Sequence, residues 1–80
     1  MDINLARHVI RAAFRNAREL SDLMRLLKAH CDAEEYKDYA LGIAEAIDGI
    51  NVALTNKVLS VYPELKNEIE ASLAKYDRYL

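Results

Sequence analysis

Cysteine, glycine and proline are nearly absent from this chain. One cysteine in 80 residues excludes an intramolecular disulfide framework and a cysteine-based zinc finger. Two glycines and one proline exclude collagen, flexible linkers and a turn-rich all-β fold. Charge of one sign is missing too: 11 basic residues stand against 13 acidic ones, for a net of −2, which selects no partner. No apolar run approaches the ~20 residues that span a bilayer. The start, Met1 to Arg7, lacks the basic-then-apolar order of a secretory signal. The expectation is a protein without membrane contact, in the reducing cytoplasm, where the lone Cys31 stays a thiol.

What is present is apolar periodicity. Hydrophobic residues make up 52% of the chain, too many for disorder, and the length suits one domain, residues 1–80. From Ile3 the series Ala6, Ile10, Ala13, Ala17, Leu20, Met24, Leu27 and Cys31 steps alternately by three and four residues. That repeat of 3.5 marks a helix packed along its whole length. Such a helix is about 43 Å long, with Asp2 or Asn4 as its cap. Asp32 followed by Glu35 has the spacing of a capping box, and a second helix is expected over about Ala33 to Val61. Its seam runs through Tyr36, Ala40, Ile43, Ile47, Ile50, Leu54, Val58 and Val61. Lys57 falls where a strict heptad wants an apolar residue, so the seam shifts to Val58. Pro63 ends this helix and suits the start of a third, over about Glu64 to Tyr79, with Leu65, Ile69, Leu73, Tyr76 and Leu80 on one face.

The fold class is therefore all-α: an antiparallel hairpin of two long helices plus a shorter C-terminal helix, a three-helix bundle. The alternative is a compact four-helix bundle in which helix 1 breaks near Ser21. In the three-helix arrangement the third helix covers only the upper half of the hairpin. The lower half holds Leu20, Leu23, Met24, Leu26, Leu27, Tyr36, Tyr39, Leu41 and Ile43, an uncovered apolar face of the kind that marks an interaction surface. The leading functional expectation is a small helical interaction module with an accessory or regulatory role. Its partner is a second copy of itself, as a homodimer, or another helical protein.

Other side chains bear on chemistry. Arg7, Arg11, Arg15 and Arg18 share one helix face, which reads as a phosphate or nucleic-acid strip. The favoured reading is internal neutralisation by Glu64, Glu68 and Glu70 of a parallel third helix, and by the acids of early helix 2. Nucleic acid is the least supported partner, because no aromatic RNA platform or helix-turn-helix accompanies the stripe. Gly42, Ala46, Gly49 and Ala53 form a smooth strip fit for close helix packing or for a ligand. His30 and Glu34, four apart, are weak metal candidates that lack a third ligand; a helix-bundle metal or small-ligand binding protein, using this pair or the Gly42 and Gly49 strip, is the alternative function, and no cofactor is assigned. His8 has no nucleophile or carboxylate beside it. Glu45 and Asp48 are expected to be solvated or to pair with Arg18 and Arg15. Tyr36, Tyr39, Tyr76 and Tyr79 are read as rim residues of contacts. No nucleophile–base set, phosphate loop or spaced metal motif is present, so no enzyme is expected.

Overall fold

A computed structural model describes all 80 residues. Helix α1 spans Ile3–His30 without interruption. The Asp2 carboxylate caps it by accepting from the Leu5 N–H at 2.8 Å. Ser21 lies inside the helix, so the four-helix alternative with a break there does not occur. The chain turns at Cys31 and Asp32. The Cys31 N–H closes α1 on the Leu27 carbonyl at 2.8 Å, and the Asp32 side chain accepts from the Glu35 N–H at 2.9 Å. These two residues satisfy one loose backbone group at each of the two helix ends within a two-residue turn.

The second rod has three parts: α2 (Ala33–Ile50), a π-helical turn (Asn51–Thr55) and α3 (Asn56–Val61). It packs antiparallel along α1. The π turn closes with the Asn56 N–H on the Asn51 carbonyl, five residues back. It thereby holds one residue more than an α-helical turn. From the end of the turn onward the buried positions are Thr55 and Val58, and the expected seam residues Leu54, within the turn, and Val61, after it, are exposed. The apolar repeat slips by one residue at this point, and the π turn absorbs the slip. Pro63 then breaks the rod, and α4 runs Leu65–Tyr76, shorter at both ends than expected.

The helix stops at Asp77, whose φ of 60° is left-handed, a conformation that Asp tolerates better than most residues. The turn folds the tail back onto the bundle. The Ser72 hydroxyl secures it, donating to the Arg78 carbonyl at 2.7 Å and accepting from the Leu80 N–H at 3.1 Å. As a result Tyr79 is buried; Tyr76, the last residue of α4, is exposed. Tyr79 is thus a core residue and not a rim residue.

The core lies at one end of the molecule. Ala6, Ile10, Val58, Leu65, Ile69 and Tyr79 form it, with Phe14 and Tyr62 against its edge. At the far end of the hairpin Ile43 alone is buried. The result is a long slab of 45 × 26 × 15 Å. Its radius of gyration is 14.6 Å, against about 12 Å for a rounded domain of this length.

Candidate functional site

Two concave surfaces flank the hairpin, one on each side. The first sits where α1, α2 and the end of α4 meet. Its volume is about 610 Å³, and Phe14, Ala17, Ile47 and Leu73 supply its apolar floor. Its walls carry His8, Arg11, Arg15, Arg18 and Arg78, with Asp77 the one acid among them. The second is smaller, about 440 Å³, and lies on the opposite side, lined mainly by Leu20, Leu23, Ile50 and Leu54.

The arginine stripe is positioned by the continuity of α1, whose turn brings every third or fourth residue to one side. The four members do not share one environment. The Arg7 Nε donates to both carboxylate oxygens of Glu68 at 3.0 Å, as the expectation of neutralisation by a third-helix acid requires. The others depart from it. Arg11 donates to the Leu80 carbonyl at 3.0 Å and lies over the Tyr79 ring, 5.1 Å from its centroid. Its Nε is buried with no partner. Arg18 donates to the Asp77 carbonyl at 3.1 Å. Arg15 forms neither a hydrogen bond nor an ion pair. Glu64 and Glu70 do not reach the stripe. Acids of early α2 do not cross the hairpin either: the one other ion pair joins Arg25 to Asp22 within α1. Glu45 and Asp48 stay solvent-exposed and leave Arg15 and Arg18 alone.

Tyr79 and Glu68 fasten the tail beside this groove. The Tyr79 hydroxyl donates to Glu68 at 2.8 Å. That bond, helped by Arg7 and opposed by partial burial, holds the Glu68 carboxyl below its ordinary pKa. Burial, then the same hydrogen bond, pushes the Tyr79 phenol above its own. Phe14 meets the Tyr79 ring edge-on at 6.1 Å. The sequence reading missed this cluster. Its one visible signal was a tyrosine two residues past an Asp that can adopt the left-handed turn.

The nine expected interface residues do not form one patch. Ile43 is buried in the hairpin seam, and Leu20, Met24, Leu27 and Tyr36 are half-buried along it. Leu23, Leu26, Tyr39 and Leu41 are 41–65% exposed. Helical phase divides those four. Leu41 lies 200° around α2 from the seam residue Ile43, on the back of the hairpin, and Leu26 is on the back of α1. Leu23 and Tyr39 remain on the side opposite α4, the side of the smaller concavity. The strip of Gly42, Ala46, Gly49 and Ala53 shares that side. It is not a packing strip within the chain: all four are exposed, and a methyl group added at Gly42 or Gly49 would meet nothing within 4 Å.

His30 and Glu34 do not share a helix face. The first ends α1 and the second opens α2, so a spacing of four no longer places them one above the other. No group of three or more His, Cys, Asp or Glu side chains converges anywhere in the structure. No helix is long and apolar enough to cross a membrane. Neither a family model, nor a curated protein, nor a solved structure matches the chain.

Proposed function

We propose that this protein is a helical interaction module that associates with a second copy of itself through the hairpin face opposite α4. The observation that carries the reading is surface area. The chain exposes 5802 Å², whereas a compact monomer of 9.1 kDa exposes about 4,900 Å². The excess of about 900 Å² is close to the ~800 Å² that one partner contributes to a standard interface. A two-fold dimer with the slabs face to face turns two thin layers into one four-helix core.

The chemistry of the face suits such a contact. Leu20, Leu23, Ile50 and Leu54 line a shallow apolar trough. Beside it, the Gly42–Ala53 strip has no side chain beyond Cβ, so a partner helix can approach its backbone closely. Tyr39, exposed but largely apolar, stands at the rim, where a phenol keeps its hydroxyl wet.

Sedimentation velocity across the micromolar range tests the proposal. The expected result is a species of about 18 kDa, twice the chain mass of 9.1 kDa, which Leu23→Glu combined with Ala46→Glu returns to monomer. Both positions are exposed, so the double variant keeps its helical circular dichroism. A wild-type chain that stays at 9.1 kDa throughout overturns the reading, and so does a double variant that associates as before.

A further inference from the structure

The larger groove lies on the other side of the hairpin and plays no part in that association. Four arginines line it without a carboxylate side chain bound to any of them; Arg11 is engaged by Leu80 and the Tyr79 ring, which leaves three guanidinium groups for a ligand. Arg15 has no intrachain partner, Arg78 donates to none, and Arg18 is held by the neutral Asp77 carbonyl. His8 adds an imidazole to the rim, and Asp77 is the one acidic side chain in the lining. Below these groups the floor is apolar, made by Phe14, Ile47 and Leu73. Asn51, one helical turn after Ile47, lines the groove as well. A solvated cationic face needs no floor of this kind, and a plain apolar cleft needs no ring of arginines.

From this combination we infer that the groove is a binding site for a small amphipathic anion: a carboxylate or phosphate monoester on an apolar body. The head would sit against Arg15, Arg18 and Arg78, where the planar guanidinium fork matches two oxygens of a carboxylate or phosphate. Apolar walls beside the charges strengthen the attraction by excluding water. The body would lie on Phe14, Ile47 and Leu73. A volume of about 610 Å³ falls in the range of small-molecule sites, about 300–1,000 Å³, and is too small for a folded partner.

Decanoate, kept below its micelle concentration and titrated into the full chain by calorimetry and amide NMR, tests the inference. Decanamide has the same body without the charge, and inorganic phosphate has the charge without the body. The expected result is saturable decanoate binding that shifts the amides around Phe14, Ile47 and Leu73, with both comparison probes at least tenfold weaker. Arg15→Gln, at an exposed position with no partner to lose, weakens decanoate about tenfold. Lys28→Gln, outside the groove, leaves it unchanged. Equal binding of decanoate and decanamide would reduce the site to an apolar cleft and overturn the inference. Equal binding of phosphate and decanoate, or an unchanged Arg15→Gln affinity, overturns it as well. Phosphatidylglycerol vesicles separate the sources: binding to vesicles but not to free decanoate makes this a surface contact and refutes a groove ligand. The Leu23→Glu/Ala46→Glu variant retains decanoate binding, so failure of the groove and failure of self-association are read separately.

Discussion

Removing one residue from the middle of a helix is ordinarily ruinous, and the π turn predicts where it is not. Each residue in an α-helix contributes about 100° of rotation and 1.5 Å of rise. Deleting exposed Ala44 from the regular part of α2 turns everything before it by that angle relative to everything after it. Ile43, 8% exposed, then leaves the seam with its neighbours Tyr36 and Ala40. Healing of the π turn would restore the two ends, but only by rotating Ile47 and Ile50 outward. Losing one fully buried Ile costs about 1.5–3 kcal/mol, and its neighbours bring the total to roughly 3 kcal/mol or more. A domain of this length has only about 4–12 kcal/mol to lose. Deleting Val52 instead removes the surplus residue of the turn. Val52 is 58% exposed, so less than half of its burial energy is lost, under about 1 kcal/mol. The regularised helix recovers an ordinary i to i−4 hydrogen bond, worth about 1 kcal/mol net. The Val52 deletion should therefore stay within about 1 kcal/mol of the parent in urea unfolding followed by circular dichroism, with full helicity. The Ala44 deletion should be weaker by about 3 kcal/mol or unfolded. Equal losses, or a worse result for Val52, would show that the turn is not the point at which the seam slips.

Three further outcomes follow from single groups. Tyr79→Phe removes the hydroxyl that donates to Glu68 and should cost about 1 kcal/mol in chemical unfolding, the value of a charged hydrogen bond discounted for partial exposure; an unchanged midpoint would mean that the tail is held by packing alone. Tail docking should also have two pH limits. The Glu68 pKa is depressed in the folded chain, so its contribution is present above the ordinary carboxyl value of about 4.3 and fades as the pH falls below it. The Tyr79 pKa is raised, so its contribution is present below about 10 and is lost as the pH rises through the elevated value, which tyrosinate absorbance and near-ultraviolet dichroism follow together. Gly42→Ala with Gly49→Ala, where open space receives both methyl groups, should stabilise dilute monomer by about 0.5–1 kcal/mol per site and weaken the dimer by filling the strip; a dimer of undiminished strength would place the interface elsewhere.

The periodicity of α1 and the capping carboxylates at Asp2 and Asp32 were readable from the chain, because both are local: they concern residues within one turn of each other. Pro63 likewise announced the third helix. The slip at Lys57 was visible, but its structural meaning was not. A seam that moves by one residue can be met by bending, by twisting the supercoil or by a π turn, and only the packing of Thr55 and Val58 against α1 selects the last. The arginine stripe was legible as a stripe. Its partners were not, because two of them are main-chain carbonyls, Leu80 and Asp77, which every residue possesses and which no sequence pattern reveals. Tyr79 was misplaced for a related reason. A helical period continued through Asp77 puts Leu80 on the core face and Tyr79 off it; one left-handed residue there turns Tyr79 into the core and Leu80 outward.

The extra residue of the π turn also decides what each face of the hairpin offers. In a regular helix Leu54 would follow Ile50 into the seam. In this chain the seam takes Thr55 instead, and Leu54 moves to the trough shared with Leu20 and Leu23. A buried threonine whose hydroxyl finds no partner is a poor core residue, since an unpaired buried hydroxyl costs about 1–3 kcal/mol. Leucine in its place would bury more apolar surface without that penalty. The arrangement is intelligible if Leu54 does more at the surface than it would inside. Folding alone favours returning it to the core, whereas a partner pressed against the trough favours keeping it out. Thr55→Val separates the two demands. It removes the unpaired hydroxyl and leaves Leu54 where it is, so the monomer gains stability while self-association stays as strong as before.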